Sequence, residues 1–135
     1  MMEWKENPRR IALPCEDWEC MKIGGSTPPV RIEDGWLCLY HGVDKEYTYR
    51  VGALILDAED PCKILYRTKD PVFEPEADYE KNGFVNNVVF PTGNVVKDGT
   101  FYMYYGAGDK YVAVATADLD ALVTHIKGNS HVQSI

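Results

Sequence analysis

The stretch GWLCLYHGV at residues 35–43 returns at 99–107 as GTFYMYYGA. Gly99 stands 64 residues after Gly35, and this shift sets Tyr104 on Tyr40, Tyr105 on His41 and Gly106 on Gly42. Each copy opens at a turn and alternates side chains with the two-residue period of a strand. Each then passes through a short loop into a second apolar strand ending near an aspartate, Asp57 or Asp118. A unit of about four short strands in roughly 45 to 65 residues is what one propeller blade looks like. One blade cannot bury both of its faces, so stability demands neighbours around an axis. The chain holds about two such units, whereas a closed propeller needs about four or more. The expected fold is therefore all-β, a partial β-propeller of about two blades; a two-sheet sandwich is the alternative that the strand count also permits.

The runs YRVGALILD (49–57), CKILYRT (62–68), NNVVFP (86–91), TFYMYYG (100–106) and YVAVATAD (111–118) read as further strands, and turn signals such as KNG (81–83) and KDG (97–99) punctuate them. Only DLDALVTHI (118–126) reads as a short helix, with Asp118 as its N-cap. Residues 1–17 are expected to be an N-terminal segment, a remnant of a preceding blade or unrelated sequence. Residues 18–127 form the two blades, and 128–135 a flexible tail.

Net charge is −7, and no basic stripe offers phosphates of a nucleic acid their counter-charge. An anionic membrane surface is disfavoured for the same reason, and no apolar run approaches the roughly 18 to 20 residues of a membrane span. No apolar leader core is visible, so the expected setting is the cytoplasm. Cys15 and Cys20 have four residues between them, as a zinc pair can, but Cys38 in a strand and Cys62 after a proline supply no second pair, so the four read as reduced thiols, with no metal expected.

KIGGSTPPVRIEDGWLCLYHGV, YRVGALILDAEDPCKILYRTKDPVFEP, YEKNGFVNNVVFPTGNVV and FYMYYGAGDKYVAVATADL follow one another over roughly residues 18–126. In order and spacing they resemble the C-terminal part of glycoside hydrolase family 130, the β-1,4-mannoside phosphorylases and relatives. The resemblance implies a five-bladed β-propeller of which this chain supplies the later part. It implies inverting transfer of a mannosyl group to inorganic phosphate, giving mannose 1-phosphate. Inorganic phosphate is then the co-substrate, with no other cofactor. The family's general acid, an aspartate, lies in an N-terminal blade with no counterpart here, so no catalytic residue is expected in this chain.

Phosphorolysis needs an acid for the leaving oxygen, an anion seat opposite it, and polar groups gripping the sugar. An anionic nucleophile requires positioning and charge compensation rather than a strong base. The resemblance assigns phosphate binding to His41, which otherwise reads as a strand-end histidine bonded to backbone. It assigns sugar contact to Asp109, otherwise an ordinary turn aspartate. Tyr105 is a candidate for the channel lining or for inter-blade core, and Tyr49 and Phe84 for the leaving-sugar site or for packing. Arg50 reads as a solvated strand-edge residue or a phosphate contact.

Three readings of function remain: an incomplete β-mannoside phosphorylase or hydrolase; a partial propeller that binds sugar or phosphate without turnover; and a structural piece that regains activity with its missing half. The expected partners are a β-mannoside oligosaccharide or sugar phosphate. The exposed blade faces predict either a homo-oligomer or association with missing propeller blades.

Overall fold

The protein is described by a computed structural model covering residues 8–131. The first seven residues of the expected N-terminal segment and the last four of the expected tail lie outside the described residues.

Sheet A is built on β3 (Gly35–Val43), the first copy of the repeat. One edge of β3 carries β1 (Lys22–Gly25) and β2 (Val30–Ile32); the other pairs antiparallel with β4 (Tyr49–Leu56), which leads to β5 (Ile64–Thr68). The second copy is the middle of sheet B, a meander of β6 (Val89–Lys97), β7 (Thr100–Ala107) and β8 (Tyr111–Asp118). The Asp98-Gly99 turn joining β6 to β7 has φ of 51° and 77°. Positive φ at both central residues gives the twist that a two-residue hairpin needs, and Asp-Gly tolerates it. Lys97 accordingly pairs directly with Thr100.

Alternation along the strands builds the core. Leu37, Leu39, Val51, Ala53 and Ile55 of sheet A meet Val89, Phe101, Met103, Tyr105 and Ala107 of sheet B. Each Leu, Val, Ile, Phe or Met side chain among them that is removed from water contributes about 1.5–3 kcal/mol. The sheets also meet through backbone where Tyr49 N donates to Asn87 O at 2.9 Å beside the parallel bridge of Tyr49 to Val88. Strand ends of both sheets are thereby gathered on one side: the β3–β4 loop, the β7–β8 turn and the entry to β6.

Two sequence expectations change, and the N-terminal segment takes a definite place. Residues 8–21 lie across the outer face of sheet A, where Ala12 and Trp18 pack on Tyr40, Leu54 and Leu56. The expected tail is anchored as far as it is described. β9 (Ser130–His131) pairs with β5, and Lys69 N donates to Asn129 O at 2.9 Å. The polar composition of 128–131 disguises a pairing that depends only on backbone groups. β6 runs on past Pro91 as far as Lys97, with the ladder shifting between Pro91 and Gly93; a proline is tolerated there because β6 is an edge strand. The helix is where it was expected: α2 spans Leu119–Gly128, and Asp118 Oδ1 accepts from Ala121 N at 2.9 Å. A second helix, α1 (Asp78–Lys81), is a single turn ahead of β6.

Candidate functional site

His41 stands next to the end of β3, on the face that looks toward sheet B. Its ring lies over Gly24, its cross-strand partner. A Cβ on Gly24 would come within 2.5 Å of His41 Cε1, so only glycine leaves room for the imidazole there. Ser26 Oγ bonds His41 Nδ1 at 3.0 Å, which leaves Nε2 for another partner. Phe90 covers one side of the imidazole with ring centres 4.5 Å apart, and Tyr49 stacks at 6.0 Å. Lys22, two residues before Gly24 on the same face of β1, holds its ammonium 5.2 Å from the centre of the Tyr49 ring. Burial lowers the basicity of His41, and the nearby Lys22 charge lowers it further. Nothing anionic among the described residues neutralises this corner. Chemically, it is a corner with a half-buried imidazole, one hydroxyl and the ammonium of the exposed Lys22, walled by two aromatic rings.

Asp109 sits at the tip of the β7–β8 turn, exposed, with φ of 52°. The turn lies against the entry to β6: Gly108 N donates to Val88 O at 3.0 Å and Val85 N donates to Gly108 O at 3.1 Å. Phe84, next to Val85, is 89% exposed. Phe90, which stacks on His41, pairs across the ladder with Gly106, three residues before Asp109. His41, Tyr49, Phe84 and Asp109 are therefore all held at the same end of the two sheets, the first two within paired strands and the last two on connections beside them.

A family model described as β-1,4-mannooligosaccharide phosphorylase, glycoside hydrolase family 130, matches residues 2–128. The chain belongs to glycoside hydrolase family 130. A β-1,2-mannobiose phosphorylase of Thermoanaerobacter sp. is 50% identical over 101 residues, covering 75% of this chain and 33% of the relative. The β-1,4-mannooligosaccharide phosphorylase of Ruminococcus albus is 36% identical over 137 residues, covering 98% of this chain and 41% of the relative. Among solved structures, the β-1,2-mannobiose phosphorylase of Listeria innocua in complex with β-1,2-mannobiose superposes with a TM-score of 0.82 at 39% identity, over 86% of this chain and 33% of that one. The chain spans about a third of the length of such relatives. Its two sheets are accordingly about two blades of the family's five-bladed propeller.

Within this family-130 fold, not every expected residue is at the cluster. Tyr105 is 2% exposed and points into the inter-sheet core. Its hydroxyl donates to Glu80 Oε1 at 2.6 Å and lies 3.4 Å from the Tyr79 hydroxyl. Burial and these hydrogen bonds push the phenol far above its ordinary range. Tyr105 is thus core, the second of the two options for it, because position 105 faces the opposing sheet just as position 41 does. Arg50 lies on the other face of sheet A from His41. There its Nη1 donates to Asp44 Oδ2 at 2.6 Å and its Nε to Glu74 Oε2 at 3.0 Å. Burial alone would raise the Asp44 carboxyl, but hydrogen bonds from Arg50 and from the Thr48 and Glu46 backbone hold it below its usual value. Arg50 is engaged and does not join the seat.

Sequence reasoning missed Lys22 and Ser26, although both stand in the quoted KIGGS. The available signal was the period of two: if Gly24 opposes His41, Lys22 and Ser26 must share that face. It also missed the buried pair on the other side of sheet A, where Arg67 Nη2 bonds Glu19 Oε1 and Cys15 N donates to the same oxygen at 2.9 Å.

Proposed function

We propose that this chain carries the phosphate-side and part of the sugar-side of a β-mannoside phosphorylase pocket, and that turnover requires blades it does not contain. The observation that carries this reading is the seat formed by His41, Ser26 and Lys22. Accepting the Ser26 hydroxyl proton at Nδ1 leaves Nε2–H to donate to a phosphate oxygen. The Lys22 ammonium then compensates the anion's charge. Two such groups favour a phosphate over a bare water as the attacking species, so phosphorolysis is preferred to hydrolysis. Asp109, as a carboxylate, would accept from paired sugar hydroxyls. Tyr49 and Phe84 would offer aromatic faces to the leaving sugar.

The preferred linkage is β-1,2, supported by 50% and 46% identity to a β-1,2-mannobiose phosphorylase and a 1,2-β-oligomannan phosphorylase of Thermoanaerobacter sp., against 36% to the β-1,4-mannooligosaccharide phosphorylase. The partner for the outer face of sheet B is a further propeller sheet of the same family. Two things support it: relatives about three times as long, and an apolar surface of Val95, Tyr104, Val112 and Val114 left exposed here.

Loss of a general acid costs about 10²- to 10⁴-fold, so the isolated chain should form no measurable mannose 1-phosphate from β-1,2-mannobiose and phosphate. It should still bind phosphate in a calorimetric titration, with affinity falling at least tenfold in His41→Ala. Turnover approaching the usual enzyme range of about 1–10³ s⁻¹, or phosphate affinity indifferent to His41→Ala, would refute the half-site reading.

A further inference from the structure

Two glycines far apart in the chain touch backbone to backbone beside the sugar-side residues. A Cβ on Gly83 would overlap the Gly108 carbonyl oxygen and approach Gly108 Cα to 2.6 Å. A Cβ on Gly108 would lie 2.9 Å from Gly83 Cα and 2.9 Å from the Tyr79 carbonyl oxygen. Gly108 also has φ of +57°, a conformation that side chains resist. The contact is fastened on both sides, by Val85 N donating to Gly108 O and Gly108 N donating to Val88 O. Phe84 directly follows one glycine and Asp109 the other. Neither side chain is held by the core: Phe84 is 89% exposed, and Asp109 stands on a turn with consecutive positive φ values. Their separation is therefore set by the backbone contact behind them.

We propose that Gly83 and Gly108 are positioning residues whose contact sets the spacing of Phe84 and Asp109, making an aromatic–carboxylate pair for one pyranose ring. An aromatic face meets the C–H side of such a ring, and a carboxylate accepts from its hydroxyls. Any side chain at position 83 pushes the 107–110 turn away and widens that pair. This rests on the sugar-side reading of Asp109, but the device itself is a statement about backbone and can be measured without a sugar.

The test is Gly83→Ala, followed by amide NMR and by titration with β-1,2-mannobiose and, separately, phosphate. The expected result is displaced amide resonances at Phe84, Val85, Asp109 and Lys110, with those of His41, Gly42 and Val43 in place. Mannobiose affinity should fall about tenfold while phosphate affinity stays within twofold. Unmoved resonances at 84–85 and 109–110, or mannobiose and phosphate binding lost together, would overturn the proposal. Should the variant not fold, hydrogen exchange in the unaltered chain decides: slow exchange at Val85 and Gly108 supports the contact, and loop-like exchange removes it. A wild-type chain that binds phosphate but no mannobiose would sink the sugar-side reading, and the exchange and NMR outcomes would then judge the glycine contact by themselves.

Discussion

Burial and the Lys22 charge together place the proton affinity of His41 below the ordinary value of 6.5. In the folded chain the ring is neutral at pH 7, and an unfolded chain takes up the proton first as pH falls. Stability from this group is therefore complete above 6.5 and is lost as pH drops through the window beneath it. An anion in the seat reverses the preference, because it binds the imidazolium better than the imidazole. Sulfate, which does not titrate in this range, should bind more tightly as pH falls from 8 toward 5, and the slope should vanish in His41→Gln. A sulfate affinity with no pH slope in the unaltered chain would mean that His41 does not face the anion. The groups facing it across the packed elements are Lys22 on β1, Ser26 beyond it, Tyr49 on β4 and Phe90 on β6. The histidine was legible in the sequence because it breaks an apolar alternation at a strand end. Lys22 and Ser26 were not, since their relation to it exists only once β1 is paired with β3.

At the scale of elements, two buried carboxylates do the fastening. Glu80 Oε2 accepts from the backbone nitrogens of Glu76 and Ala77, both at 2.8 Å, while Oε1 takes the Tyr105 hydroxyl. This gives α1 a start that Ala77 cannot supply from its own side chain, which is why that turn of helix was not readable locally. Glu19, fully buried, ties the 8–21 segment to Arg67 on β5. Arg67 is also shared with the Tyr40 hydroxyl, 3.4 Å from its Nε. Removing one member of such a pair strands the other, at a cost of about 3–5 kcal/mol. Arg67→Met should lower the thermal midpoint by about 10–20 °C as followed by circular dichroism. Adding Glu19→Leu should restore most of the loss, because the stranded charge goes with it. A single variant within a degree or two of the unaltered chain would show that the segment is held by its apolar contacts with Tyr40, Leu54 and Leu56 alone. The sequence marked 1–17 only as an N-terminal segment, a remnant of a preceding blade or unrelated sequence. Its attachment includes an ion pair between residues 48 apart, which no local pattern discloses.

For the whole molecule, the 64-residue repeat made the two sheets legible, and it led to the expectation of an exposed apolar face on each. The segment 8–21 covers one of those faces, leaving the outside of sheet B. Its register places Tyr104 opposite Val114 and Gly106 opposite Val112, and Val112 is 85% exposed. The strand alongside, β8, has no partner on its outer edge among the described residues and carries no charged side chain from Tyr111 to Ala117. Natural sheets guard such edges with lysines, prolines or bulges, because an unguarded one templates pairing with another chain. Among the described residues, the outer edge of β8 has no such guard. At tens of micromolar, the chain should scatter light as an oligomer well above its 15.3 kDa. The double substitution Val112→Lys, Val114→Lys should return it to a monomer with an unchanged far-ultraviolet spectrum, since both side chains point away from the core. A compact monomer before any substitution would mean that this face is stable in water.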